Sequence, residues 1–464
     1  MKIVVLGGGP GGYVAAIRAA QLGAEVTLIE KNKIGGTCLN VGCIPTKVLL
    51  HSAEVIEILK HAAILGIDVQ KFELNLANLM NRKESIVNAL VEGTRKLLIS
   101  NGVEILNGTG VFENSKTILI KEGDDALRRV TFDACILALG SVVSEVPIPG
   151  TDHSDVVTSS EALSFDSVPH ELVIVGGGVI GVEFADIYAS FGSKVTIVEM
   201  MDSILSMMDS DIVDIARMSF EMKGVKILEK TSVKAIKREF DQPGAKLVVE
   251  VEGSNGIQRL PADKVLMAVG RRPSTEGVGL EQVGIVMNKG AIVVDDRMRT
   301  NIKGIYAIGD CNGGIMLAHV ASSEAIVAVE TIMGHRVEID FRTTPSAIYT
   351  RPEMASVGWT EKEAISKGYK VEVGKYPLIA NGKAQIMMEE GLVKIVADAQ
   401  TREILGVHMI GPRATDIIAE AAIALRLEAT VDELVTTIHA HPTVSEAVLE
   451  AGHGVFGYPI HLPK

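Results

Sequence analysis

Two segments of this chain are copies of one another. Residues 2–30 and 171–199 align without a gap at a constant offset of 169, and eleven of the 29 positions are identical. The shared residues include Gly7/Gly176, Gly9/Gly178, Gly12/Gly181, Gly23/Gly192 and Glu30/Glu199. Each copy starts with an apolar β-type run (3–6; 172–175), followed by a glycine turn and a small-residue helical stretch. A glycine stop then leads to a second β run ending in glutamate (26–30; 195–199). The chain must therefore contain two βαβ units, each with parallel strands joined by a crossover helix.

A lone GxGxxG is weak evidence, but strand, GxGxxG, helix, strand and terminal acid in order, twice, is a strong dinucleotide signal. The first glycine permits the tight turn, the second lets the backbone approach a pyrophosphate, and the third lets helix pack on strand. The helix N-terminus offers unpaired N–H groups and partial positive charge to the phosphates. Glu30 and Glu199 are placed to accept hydrogen bonds from a ribose. Glu199 is followed by Met200, Met201 and Asp202, with no arginine to hold a 2′-phosphate, so the second site favours NAD over NADP.

Composition narrows the class. With 464 residues, 47% hydrophobic and 22% charged, the chain is long and apolar enough for several packed domains. Its net charge of −13 argues against nucleic acid or an anionic membrane as the main partner. The longest uncharged stretch, 3–17, is too short to span a bilayer and is interrupted by glycine and proline. Four cysteines are too few for a secreted disulfide framework, which points to a reducing, cytoplasmic setting. The expected fold is α/β, with Rossmann-like units at 1–150 and 151–270. A return to the first domain is expected at 271–342, suggested by the strand-to-glycine junction at 305–310, and an α+β domain at 343–464. Strands are expected at 134–139, 265–269, 347–349, 392–397 and 404–410, and a helix at 413–427. The charged run 121–129 is expected to be a solvated hairpin tip, and the methionines at 200, 201, 207 and 208 a soft, irregular apolar surface.

Cys38 and Cys43 follow the first βαβ unit, in Gly-Gly-Thr-Cys-Leu-Asn-Val-Gly-Cys-Ile-Pro-Thr-Lys at 35–47. A disulfide needs Cα atoms within about 7 Å, whereas a regular helix separates such a pair by about 7.5 Å along its axis. A distorted turn is thus required, and Gly42 and Pro45 permit one. Three readings stand at this point: a redox-active pair, two inert buried thiols, or a metal site shared with His439 and His441. The last lacks the close spacing of zinc ligands, and no metal site is expected. Dithiol chemistry needs a base, because thiolate is the attacking form; His441, with Glu446 five residues on to orient it, is the candidate. His439, His453 and His461 are expected to be structural, as are Cys135 and Cys311.

The stretch 7–47 resembles the FAD-dependent pyridine nucleotide–disulfide oxidoreductases, in the branch that oxidises dihydrolipoyl groups. The likeness covers nearly the whole chain. It includes Val-Gly-Arg-Arg-Pro at 269–273, Tyr-Ala-Ile-Gly-Asp at 306–310, Met-Leu-Ala-His at 316–319, Tyr-Thr-Arg-Pro-Glu at 349–353 and His-Ala-His-Pro-Thr at 439–443. The resemblance implies FAD on the first fingerprint, held by Gly7, Gly9, Gly12, Glu30, Thr37, Cys38, Lys47, Gly110, Gly140, Ser141, Asp310, Met316, Leu317, Ala318 and His319. It implies NAD on Gly176, Gly178, Gly181, Glu183, Glu199, Val233 and Gly270. It further implies that dihydrolipoamide is oxidised with NAD⁺ through a Cys38–Cys43 disulfide, and that Lys47 and Glu183 pair beside the flavin. His441 would serve the cysteines of the other subunit of a homodimer. Lipoyl domains of a 2-oxoacid dehydrogenase or glycine cleavage complex are the implied partners. Leu139 stands where the family has threonine, removing a hydroxyl near the flavin, and Ser206 stands where proline is usual. Mercuric-type reductases carry a C-terminal cysteine pair that is absent here, glutathione-type reductases call for arginine near 200–206, and a non-catalytic NADH sensor would not need Cys38, Cys43 and His441 together.

Overall fold

The computed structural model describes residues 1–122, 126–238, 247–254 and 256–463. Its first sheet is wholly parallel, in the order Ile305–Ala307, Ala134–Leu137, Lys2–Leu6, Glu25–Glu30, Glu104–Asn107. Lys2–Leu6 lies at the centre with every residue after Lys2 buried, as a near-continuous apolar run demands in a sheet covered on both faces. Each such Val, Leu or Ile contributes roughly 1.5–3 kcal/mol of hydrophobic stabilisation. The crossover helix Pro10–Gln21 buries Gly11, Gly12, Ala15, Ala16 and Ala19, small residues that let it lie close to the strands.

The second copy folds the same way. Its parallel sheet has the order Lys226–Leu228, Lys194–Val198, Glu171–Val175, Lys264–Met267, Val156–Val157. The registers correspond, with Lys2 opposite Glu25 and Glu171 opposite Lys194. A Cβ on Gly12 would stand 1.8 Å from the Gly7 carbonyl oxygen, and one on Gly181 would stand 2.0 Å from that of Gly176. The third glycine of each fingerprint is therefore set by sterics.

Strand ends differ slightly from expectation. The strands expected at 134–139 and 265–269 stop at Leu137 and Met267, because the chain then crosses over the glycine turn: the Ala138 and Ala268 carbonyls fill the space beside Gly7 and Gly176. The strand Ile305–Ala307 does rejoin the first sheet, beside Ala134–Leu137. The charged run is a hairpin of Thr117–Glu122 and Ala126–Thr131; its tip, 123–125, lies outside the described residues.

The last unit is an antiparallel sheet in the order Ser346–Ile348, Glu353–Gly358, Ile404–Gly411, Leu392–Asp398, Val371–Pro377. The helices Ala414–Arg426 and Glu446–Val455 pack on it around Val393, Ile395, Val407 and Met409. One core cluster runs from Val48, Leu49 and Leu50 through the second unit to Ile348, Met354 and Ile410. The methionine reading needs one correction: Met208 is buried in this core behind Ile204 and Leu205, whereas Met200, Met201 and Met207 are exposed. A buried ion cluster also joins the units. Lys394 Nζ lies 2.9 Å from both Asp209 carboxylate oxygens, 2.6 Å from Asp211 and 2.8 Å from Glu361.

Candidate active site

A single cavity of about 1960 Å³ is walled by both glycine turns, both ribose acids and the cysteine pair. The turns are built to receive phosphate. Gly9 and Gly178 are the residues just before the two crossover helices, no side chain caps either helix, and no atom lies within 4 Å of where their Cβ would be. The backbone entering each helix thus borders open space at the helix's positive end. The acids are held alike. Glu30 accepts from the Gly8 and Asn32 N–H groups, both at 2.6 Å, and Glu199 from Gly177 at 2.6 Å and Met201 at 2.7 Å. A carboxylate accepts about four hydrogen bonds, so each retains capacity for ribose hydroxyls. The residues present fit two dinucleotides.

Most of the expected cofactor residues line this cavity: Gly7, Thr37, Lys47, Gly110, Gly140, Ser141, Asp310 and 316–319 on one side, Gly176, Glu183, Val233 and Gly270 on the other. Gly12 and Gly181 do not. They sit where helix meets turn, packed against the carbonyls of Gly7 and Gly176. Leu139 turns its side chain into the apolar cluster around Leu6, Ile29 and Leu137.

The cysteines occupy a break between helices. The short helix Gly36–Val41 carries Cys38; the chain turns at Gly42, and Cys43 opens the 18-residue helix Cys43–Lys60. The expected distortion is thus a junction of two helices. Both residues are free thiols, and each is the strongest influence on the other's ionisation. The neighbouring Cys38 thiol lowers Cys43 to about 7; burial opposes this, and Lys47 and the backbone N–H at the helix start assist it. Cys38 is driven upward, first because its proton is the one shared with Cys43, then by burial. The thiols are therefore unequal: Cys43 ionises first. Cys135 and Cys311 are fully buried, and burial pushes Cys311 up to about 12 and raises Cys135 as well.

Beside them, Lys47 Nζ donates to both Glu183 carboxylate oxygens at 2.9 Å and lies 4.6 Å from the centre of the Tyr349 ring. Cys43 and Lys47 are one helical turn apart. Glu183 projects from the helix Val179–Phe191, which packs against Cys43–Lys60. Arg271 donates to the Ser141 hydroxyl and carbonyl, each at 2.7 Å, and Ser141 donates to Asp310. Sequence reasoning assigned no role to Arg271 or Tyr349, although both lie in recognisable motifs.

His441 is not on the wall that carries its own chain's cysteines. Its side chain is 79% exposed, and its Nδ1 meets Glu446 at 2.8 Å. Glu446 also accepts from the Thr443 N–H at 2.8 Å. Burial would raise the Glu446 carboxyl, but Thr443 and His441 hold it below its ordinary value. His439, by contrast, has both ring nitrogens engaged, by Thr437 and Glu420, and its side chain is 5% exposed. Among the described residues no cluster could hold a metal ion, and no helix is long and apolar enough to cross a membrane.

The family model described as pyridine nucleotide-disulphide oxidoreductase matches residues 1–325, and that of the same family's dimerisation domain matches 344–452. The chain belongs to the pyridine nucleotide-disulphide oxidoreductases. Within that family it is 41% identical to the mitochondrial dihydrolipoyl dehydrogenase of Pisum sativum, over 99% of this chain and 92% of that protein. It is also 41% identical to the dihydrolipoyl dehydrogenase of Corynebacterium glutamicum, over 99% and 98%. Among solved structures, LpdA from Mycobacterium tuberculosis superimposes with a TM-score of 0.90 at 30% identity, over 98% of this chain and 99% of that one. The chain is an oxidoreductase that uses FAD and NAD, and its C-terminal unit is the family's dimerisation domain.

Proposed function

We propose that this chain oxidises protein-bound dihydrolipoamide to lipoamide, passing the electrons to NAD⁺. The observation that carries this reading is the cysteine pair on the wall of a cavity that also holds both glycine turns, with the Lys47–Glu183 pair beside it. We assign 1–150 and 271–342 to the FAD unit, 151–270 to the NAD unit and 343–464 to the interface. FAD lies along Gly7, Gly9, Glu30, Lys47 and Asp310, and NAD along Gly176, Gly178, Glu199 and Gly270.

In the oxidised enzyme an Sγ–Sγ bond joins Cys38 and Cys43. His441, held by Glu446, takes a proton from one substrate thiol. The resulting thiolate attacks Cys38, forms a mixed disulfide and displaces Cys43 as a thiolate, the better leaving group because its pKa is the lower. The second substrate thiol, deprotonated in turn, attacks the substrate's own sulfur in the mixed disulfide; this closes the lipoyl ring and releases Cys38. Two electrons then rest on the cysteine pair, with Lys47 balancing the charge on Cys43. FAD, when bound, supplies the acceptor that relays those electrons to NAD⁺.

His441 is outside its own chain's cavity and lies in the dimerisation domain, which supports its service to the cysteines of a second copy. The substrate's lipoyl domains belong, in this reading, to a 2-oxoacid dehydrogenase or glycine cleavage complex in the cytoplasm. Steady-state rates with dihydrolipoamide or reduced glutathione, each against NAD⁺ or NADP⁺, test the proposal. Turnover should be confined to dihydrolipoamide with NAD⁺; comparable turnover of glutathione would overturn it.

A further inference from the structure

The loop between the strands Ser346–Ile348 and Glu353–Gly358 reaches across to the other two units at the cysteine site. The Tyr349 N–H donates to Glu183 at 3.1 Å, and the Arg351 N–H to Asp186 at 3.0 Å. Lys223 pairs with Asp186 and also donates to the Arg351 carbonyl. The loop backbone is thus pinned at Tyr349 and Arg351 to two carboxylates three residues apart on the helix Val179–Phe191, which fixes where the Tyr349 side chain stands. Its ring is part of the cavity wall and covers the Lys47 ammonium at 4.6 Å.

We propose that Tyr349 is a positioning residue for the thiol chemistry: its ring fixes the Lys47 ammonium beside Glu183, one turn from Cys43, and so sets the charge that Cys43 experiences. The cation sits over the negative face of an aromatic ring, an attraction that grows as water is excluded. Without the ring, Lys47 is confined by Glu183 alone, and its flexible four-carbon stem lets the ammonium shift relative to Cys43. The groups bearing on Cys43 are few. Cys38 comes from the preceding helix, Lys47 from its own, Glu183 from the second unit, Tyr13 from the first crossover helix and Arg271 from the strand Arg271–Pro273. Lys47 favours the Cys43 thiolate and Glu183 opposes it, so a small displacement of the ammonium changes the balance.

This inference rests on the proposed role of Cys43, and the test separates the two. In purified holoenzyme carrying Cys38→Ser, Cys43 is titrated by thiolate ultraviolet absorbance and by its rate of alkylation with iodoacetamide. Tyr349→Phe, which keeps the ring, should leave the profile unchanged. Tyr349→Leu, and a fluorinated phenylalanine at 349 with the same shape and a weakened face, should give about threefold less thiolate below the midpoint. Every variant keeps the backbone N–H that binds Glu183, and the fluorinated ring answers for any folding defect in Tyr349→Leu. If the fluorinated and leucine variants titrate like wild type while Lys47→Met does not, the ring has no positioning role and the proposal fails. If Lys47→Met also leaves Cys43 unchanged, the charge balance assigned to the thiol pair is wrong, and both readings fall.

Discussion

Lys47 and Glu183 come from different nucleotide-binding units and meet through two hydrogen bonds of 2.9 Å, with Glu183 almost wholly buried. The pair fastens the helix that begins at Cys43 to the helix that begins at the second glycine turn. It also places opposite charges where each acts on Cys43 with opposite sign. Lys47→Met and Glu183→Gln should therefore move the Cys43 titration in opposite directions, up for the first and down for the second. Lys47→Met also leaves a buried carboxylate unpaired, and about 2–3 kcal/mol of stability should go with it, less than for a fully buried pair because Lys47 is partly exposed. Chemical denaturation and thiolate titration on the same samples check both parts.

The two innermost glycine roles separate by mutation. A methyl group at Gly12 collides with the Gly7 carbonyl, whereas one at Gly9 meets no protein atom. Gly12→Ala should cost about 4 kcal/mol or more and yield little folded protein. Gly9→Ala should fold with a near-normal melting temperature but retain much less flavin. Flavin absorbance per chain against melting temperature distinguishes the two.

Much of this was legible in the sequence because it is local or repeated. The doubled fingerprint dictated both parallel sheets, since the glycine sterics and the strand register act within 30 residues. The inequality of Cys38 and Cys43 was not legible; it depends first on how the two thiols meet across the break between helices, and then on burial and a lysine one turn along. Nor were the buried Lys394 cluster, whose Asp209 and Asp211 lie more than 180 residues away, or the Tyr349 contact with Lys47, more distant still, where no spacing rule reaches. The sequence treated 200, 201, 207 and 208 as one surface, but Met208 packs inward with Ile204 and Leu205 in one core cluster.

Replacing His441 with Gln should lower turnover of dihydrolipoamide by about 10²–10⁴-fold, and Glu446→Gln by less, because the base remains but loses its orienting partner. The Glu446 carboxyl is held below its ordinary value, so the stability it contributes is present above the unfolded value of roughly 4.3 and is lost as pH falls through the lower folded value. Glu446→Gln should flatten the acid limb of an unfolding-versus-pH curve below about pH 4.

Coenzyme choice should follow Glu199. Both its oxygens already accept backbone N–H bonds, so the carboxylate cannot swing aside for a 2′-phosphate. A kcat/KM for NADP⁺ about a hundredfold or more below that for NAD⁺ is expected, roughly 2.7 kcal/mol or more. Glu199→Ser should narrow the gap, chiefly through KM.

The most direct test counts thiols in denaturant. The chain has four cysteines, two of them fully buried and far from ionising. Protein reduced with dihydrolipoamide and then unfolded should show four reactive thiols, and the same protein oxidised with NAD⁺ before unfolding should show two, with the missing pair recovered as one peptide linking Cys38 to Cys43. Four thiols in both states would contradict a redox disulfide at this site.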